Sequence, residues 1–229
     1  MKKNKTLFLG IDDAGRGPLL GPMVLTGVLI DEETGKQFKE LGVRDSKTLS
    51  PKRREFLAKE IKEKVFSFHT TLSFPKDIDS KIKSGVNLNT IEAIHSAEII
   101  NKLTKGKKQL IQIVIDCPSP NREKWKDVVL KYTQKKPNIL ISCEHKADVN
   151  HIAVSAASVL AKSTREKEIA KIKKKIGKDF GSGYPNDPKT IEFLSKHKKE
   201  HKDDGLFRKS WATFKNSEVK KEQKKLLDF

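Results

Sequence analysis

Cysteine is scarce in this 229-residue chain, with only Cys117 and Cys143. Their spacing is not that of a zinc site, and two thiols cannot form the dense disulfide framework of a small secreted fold. Free thiols in a reducing cytoplasm are the expectation. Long apolar runs are also missing: none approaches the roughly 20 residues that a membrane span needs. The N-terminus is basic, but the apolar run behind it is short and meets Asp12 and Asp13, which excludes a secretory signal. Hydrophobic residues make up 35%, enough for one core. Negative charge is in deficit, with 30 Asp and Glu against 48 Lys and Arg, a net +18. Such an excess either solubilises a surface or suits a polyanionic partner, most often nucleic acid. No internal repeat is visible.

What is present centres on residues 7–18. Leu7–Ile11 is a short apolar run, too short for a helix, and reads as a buried strand. It ends in two adjacent carboxylates, Asp12 and Asp13, followed by Gly15-Arg16-Gly17. Glycines there let the backbone turn tightly and approach a ligand. Adjacent carboxylates in an open site repel each other and attract a hard cation such as Mg²⁺ or Mn²⁺. Arg16 and the amides of Gly15 and Gly17 offer donors to a phosphate. A plain polar turn between strands fits the same residues.

Downstream, Met23–Ile30 forms a hairpin-like second strand. Leu41–Leu49 is a polar loop. Ser50-Pro51 predicts a helix start, with Leu57, Ile61 and Val65 at helical spacing. Val65–Phe74 suits a strand. Asn89-Thr-Ile-Glu92 has capping-box spacing and predicts the opening of another helix. Leu110–Ile115 reads as a buried strand ending at Asp116. Trp125, Val128, Val129 and Tyr132 share a helical face. Asn138–Ser142 is a short strand. A long helix carries Ile152, Ala156, Val159 and Leu160, and its later part, Lys162–Lys175, is strongly basic. Gly177–Gly183 breaks it. Asp187-Pro188 starts another helix bearing Ile191 and Leu194, and residues 216–225 are mostly charged and fray. Strands alternating with helices after a hairpin indicate α/β architecture with a mixed sheet.

Asp12, Asp116 and Asp148 fall at strand ends or just beyond, where neighbouring parallel strands converge. With Asp13 they make four carboxylates, which cannot all ionise together without cations. Two divalent metal ions would both neutralise them and catalyse an in-line phosphoryl displacement. Singly, each Asp is equally well a cap or a turn residue.

These residues carry a resemblance. Gly10–Pro18, Asp45-Ser-Lys-Thr-Leu49, Val114-Ile-Asp116, Lys146-Ala-Asp148 and Ala156–Lys162 are similar to the signature of type 2 ribonucleases H. Gly181-Ser-Gly-Tyr-Pro185 and Arg208-Lys-Ser-Trp-Ala-Thr213 resemble the archaeal and eukaryotic branch, archaeal ribonuclease HII in particular. The matches run in order from about residue 7 to about residue 214. The resemblance implies a ribonuclease H-like fold: a five-stranded mixed sheet flanked by helices, plus a C-terminal helical segment. It implies a catalytic domain over 1–178, a helical segment over 179–215 packed on it, and a charged tail over 216–229. It also implies cleavage of the RNA strand of RNA–DNA hybrids and at single ribonucleotides in duplex DNA, leaving 3′-hydroxyl and 5′-phosphate ends. One position departs from the family, whose second acidic residue is Glu where this chain has Asp13. The carboxylate is withdrawn by roughly 1.5 Å, one covalent bond. Strict octahedral Mg²⁺ would feel that, so Mn²⁺ is the expected preference.

By the same resemblance, Asp12, Asp13, Asp116 and Asp148 are the catalytic residues and metal ligands. Gly15, Arg16 and Gly17 touch the ribonucleotide, and Tyr184 packs on its sugar at the 2′-hydroxyl, the group that separates RNA from DNA. Lys47, Lys162 and Arg165 are phosphate contacts, and the basic face Lys167–Lys175 tracks the duplex. His145 reads as a solvent-facing residue rather than a proton shuttle. Alternatives are a junction resolvase or exonuclease of the same fold, or a hybrid-binding protein without activity. The Gly-Arg-Gly turn and Tyr184 argue against a DNA-only enzyme. Finally, Gln223, Leu226 and Phe229 resemble the motif that docks on replication sliding clamps, on a charged tether. A monomer is expected.

Overall fold

A computed structural model describes residues 5–43 and 49–217. The expected hairpin is present: β1 (Leu7–Ala14) pairs antiparallel with β2 (Met23–Ile30), with Leu9 opposite Leu29 and Ile11 opposite Gly27. Then follow α1 (Glu32–Glu40), α2 (Pro51–Lys64), β3 (Ser67–Ser73), α3 (Pro75–Lys83), α4 (Leu88–Leu103) and β4 (Ile111–Asp116). The chain continues through α5 (Arg122–Tyr132), β5 (Ile139–Glu144), α6 (Ala147–Asn150), α7 (Ile152–Ile176) and α8 (Pro188–His197). No helix among the described residues is long and apolar enough to cross a membrane.

Contacts divide the chain into two compact units that are each discontinuous in sequence. The first holds the described residues up to Ala14, then Val24–Leu72 and Leu88–Thr164. The second holds Gly15–Met23, Ser73–Asn87 and the described residues from Arg165 on. This second unit therefore takes in more than residues 179–215, because the loop after β1 and the α3 segment fold with it.

In the first unit a five-stranded sheet has the order β3-β2-β1-β4-β5. β4 runs parallel to β1, and β5 parallel to β4. Such crossovers need helices on the sheet faces, so the central strands are covered on both sides. All eight residues of β2 are buried accordingly. On one face Gly10 abuts the backbone of Ala153 and Val154 at the start of α7. On the other, Gly27 makes room for Ile99 and Leu103 of α4. A side chain at either position would hold a helix off the sheet. Val28, Ile30, Phe38, Leu57, Ile61, Ala156, Val159 and Leu160 form the core on the α7 side.

Helix starts follow the expected chemistry at α2, where the Ser50 hydroxyl accepts from Arg53 N–H at 3.3 Å, and at α8, where Asp187 accepts from Lys189 N–H. α1, capped by Asp31, and α3 were not legible as helices in the sequence. α4 begins at Leu88, so Asn89 lies inside it rather than capping it, and Glu92 is buried. Tyr132 and Ile191 share helical faces with core residues but are themselves exposed, each standing at the edge of its face.

The second unit has its own core of Leu19, Leu20, Ile169, Phe180, Phe193, Leu194, Phe207 and Phe214. Its aromatic rings tilt against one another, Phe207 and Phe214 at 5.5 Å between centroids. Asp79 of α3 accepts the amides of Lys209 and Ser210 at 2.7 and 2.9 Å, tying the segment before helix 212–217 to α3.

Candidate active site

Parallel pairing decides where the acidic residues stand. The last β1–β4 rung is Ile11 opposite Ile115, so Asp12 and Asp116 lie level, one residue past it. On the next strand Glu144 stands opposite Asp116. Asp12, Asp13 and Asp116 line one small cavity. Asp12 is almost wholly buried; it accepts from the Asp13 amide at 2.7 Å and from the Ser158 hydroxyl of α7. Burial pushes its carboxyl well above the ordinary aspartate range, and the charges of Asp13 and Asp116 push it further.

Asp148 lies in α6, buried, and outside the lining of that cavity. Two hydrogen bonds to backbone groups fix the start of α6 beside that edge. The amide of Ala147 donates to Asp116 Oδ1 at 2.7 Å, and Ser155 Oγ donates to the Asp148 carbonyl at 2.6 Å. Lys146, just before, has φ 56°, the left-handed region that a non-glycine side chain rarely occupies. That turn aims the Ala147 amide at Asp116. Among the described residues no three His, Cys, Asp or Glu side chains form a ready-made metal cage. The acidic donors are nevertheless all oxygen, and among the described residues no Lys or Arg lines the cavity. Those features fit a hard divalent cation. His145 is exposed, with Nδ1 3.1 Å from the Cys117 carbonyl, as expected of a solvent-facing residue.

In the second unit the Gly15-Arg16-Gly17 turn is held from its carbonyl side. Arg208, wholly buried, donates to the carbonyls of Gly15 at 2.6 Å, Arg16 at 2.7 Å and Gly21 at 3.0 Å. Trp211 Nε1 donates to the Gly17 carbonyl at 3.1 Å, and the Arg208 guanidinium sits 4.9 Å from the Trp211 ring. In a planar trans peptide the N–H points opposite to the C=O. The amides of Arg16 and Gly17 are therefore directed away from Arg208, as donors to a ligand must be. Gly15 takes φ 83°, and a Cβ there would collide with Arg165.

Arg165, expected as a phosphate contact, is 8% exposed. Its guanidinium donates to the Ser182 carbonyl at 3.2 Å and lies 5.3 Å from the ring of Tyr184. It braces the Gly183-Tyr184 turn, leaving Tyr184 itself 38% exposed. Lys162 is half-buried in α7, and Lys47 lies outside the described residues. In the basic stretch of α7, Lys171 pairs with Glu168 at 2.6 Å and Lys173 with Asp179 at 2.7 Å. The sequence reading assigned no role to Arg208, although it sits in the Arg-Lys-Ser-Trp match. It also took Glu92 for a cap residue.

A mixed five-stranded sheet with acidic residues at the ends of its parallel strands defines a ribonuclease H-like hydrolase, and solved structures of that class superpose on this chain. The ribonuclease H2 of Pyrococcus horikoshii matches with a TM-score of 0.82 at 33% identity, over 93% of this chain and 98% of that one. The ribonuclease HII in a PCNA:RNase HII complex from Archaeoglobus fulgidus matches with a TM-score of 0.78 at 35% identity, over 90% and 95%. The sequence profile of Ribonuclease HII matches residues 9–214, and the chain belongs to that family. The Ribonuclease HII of Thermococcus sibiricus is 43% identical over 228 residues, 96% of each chain. Membership makes this protein a type 2 ribonuclease H, a divalent-metal-dependent endonuclease that cleaves the RNA strand of RNA–DNA hybrids.

Two outcomes follow from the geometry. Because the Asp12 carboxyl is raised, its contribution to stability is full below the ordinary aspartate value of 3.8 and is lost as pH rises through the raised value. Asp12→Asn should therefore raise the melting temperature of the metal-free protein at neutral pH by ~2 °C or more, a gain that vanishes in acid. A lower neutral-pH melting temperature would show that Ser158 and the Asp13 amide already hold the ionised form. Separately, Arg208→Lys keeps the charge but cannot fork to three carbonyls. It should cost about 2–4 kcal/mol in denaturant unfolding and weaken hybrid binding. Unchanged stability would mean that the turn holds its shape without the clamp.

Proposed function

We propose that this chain cuts both the RNA strand of RNA–DNA hybrids and the phosphodiester at single ribonucleotides in duplex DNA. In this reading Asp12, Asp13, Asp116 and Asp148 hold two divalent cations. The observation that carries it is the level placement of Asp12 and Asp116 past the last β1–β4 rung, with Asp12 driven to keep a proton among its neighbours. When bound, the cations supply Lewis-acid activation of water and charge neutralisation at the leaving oxygen. The chain's own residues do the rest. The amides of Arg16 and Gly17 and the phenol of Tyr184 read the 2′-hydroxyl, which both donates and accepts. Lys47, Lys162 and the basic α7 face Lys167–Lys175 meet phosphates. Water attacks phosphorus, the bond to the 3′-oxygen breaks, and that oxygen leaves with its electron pair and takes a proton. The products carry a 3′-hydroxyl and a 5′-phosphate. The protein acts in this reading as a cytoplasmic monomer.

Three labelled duplexes separate the alternatives: a full hybrid, DNA with one ribonucleotide, and all-DNA. The first two should be cut and the third left intact, with Mn²⁺ more effective than Mg²⁺. Asp13→Glu should then raise the Mg²⁺ rate. Cutting of hybrid but not of the single ribonucleotide would refute the wider substrate range. A Glu variant no faster in Mg²⁺ would show that the backbone already makes up for the shorter side chain.

The tail residues Gln223, Leu226 and Phe229 lie outside the described residues. We propose that they dock on a replication sliding clamp, a reading supported by their spacing and by the clamp complex of the Archaeoglobus relative. Removing residues 223–229 should abolish clamp binding in calorimetry and leave cleavage of a short duplex unchanged. Loss of clamp-free cleavage would assign the tail to the fold instead.

A further inference from the structure

The cavity beside Asp12, Asp13 and Asp116 has a second wall that the hydrolytic roles above do not use. Glu92 and Ser96 of α4 line it. They are four residues apart, hence on one helix face a turn from each other. Glu92 is 1% exposed and Ser96 wholly buried. Among the described residues the Ser96 hydroxyl has no hydrogen-bond partner, although buried hydroxyls almost always have one. With Glu92 the cavity has four carboxylates in its wall and, among the described residues, no Lys or Arg. The space between these groups takes about one water-sized occupant.

We propose that Glu92 and Ser96 are positioning residues for the divalent cation, receiving its hydrated side from α4. This rests on the metal-binding reading of the aspartates. Mg²⁺ and its analogues dehydrate reluctantly and keep several waters, and a carboxylate plus a hydroxyl suit such a water as acceptor and adaptable partner. The arrangement bears directly on Asp13. A carboxylate withdrawn by one methylene leaves room in the cavity, and Glu92 lines that same cavity. An acidic side chain longer than Asp13 would thus be supplied to the cation from α4.

The test is calorimetric titration of the full-length protein, free of nucleic acid, with Mn²⁺. Glu92→Gln keeps the size and removes the charge, and should weaken binding about tenfold, the usual cost of losing an outer partner. Ser96→Ala should also weaken binding while raising the melting temperature of the metal-free protein, since it removes a buried hydroxyl that has no partner. A purely structural Ser96 would move the melting temperature without moving the affinity. Asp12→Asn serves as the control. If Asp12→Asn abolishes binding while Glu92→Gln and Ser96→Ala both bind Mn²⁺ as the wild type does, the role of α4 is refuted and the aspartate reading stands. If Asp12→Asn binds Mn²⁺ normally, the aspartate reading itself fails. Should Glu92→Gln not fold, Ser96→Ala decides: weakened binding supports the proposal and unchanged binding overturns it.

Discussion

Parallel strands place carboxylates at one edge of the sheet, and that edge then carries more negative charge than it can hold ionised. β1, β4 and β5 run the same way, so Asp12 and Asp116 end level. Asp12 is buried there under α7, where water cannot spread its charge. Its carboxyl therefore keeps its proton more readily than a free aspartate does. The polar partners around the edge answer this constraint. Ser158 and the Asp13 amide donate to Asp12, and the Ala147 amide donates to Asp116. The left-handed Lys146 is the local strain that aims the last of these donors. A site of this kind is unstable when filled with charge and becomes favourable once a cation enters.

The Gly-Arg-Gly turn is held by a different device. The Gly-Arg-Gly turn has little side chain of its own to hold it. Its shape is imposed by Arg208 and Trp211, which occupy its carbonyls. A guanidinium suits this role because its donors form a rigid fork and stay charged at every accessible pH. Arg165 does the same for the Gly183-Tyr184 turn, donating to the Ser182 carbonyl. Both arginines are buried, and each holds the carbonyls of a turn.

Much of the fold was legible because it is written locally. Apolar runs of strand length marked β1, β2 and β4, and Ser50-Pro51 and Asp187-Pro188 marked helix starts through cap chemistry that needs only neighbouring residues. α1 was missed because its short amphipathic run lies against a strand and a polar loop with no proline to announce it. The Asn89–Glu92 spacing misled for the same local reason, since a capping-box pattern appears by chance inside a helix as well as at its start.

What the sequence by itself determined was the set of acidic residues at strand ends and the succession of motifs that marks the family. Both depend on residue type and order along the chain. Only the tertiary structure decided that Glu92 turns inward to the cavity, that Arg165 is buried, and that Arg208 clamps a turn 192 residues away. Those roles are set by which groups meet after folding. A charge in water and a charge in a core are the same letter in the sequence, and they differ only in the dielectric and the partners that packing provides.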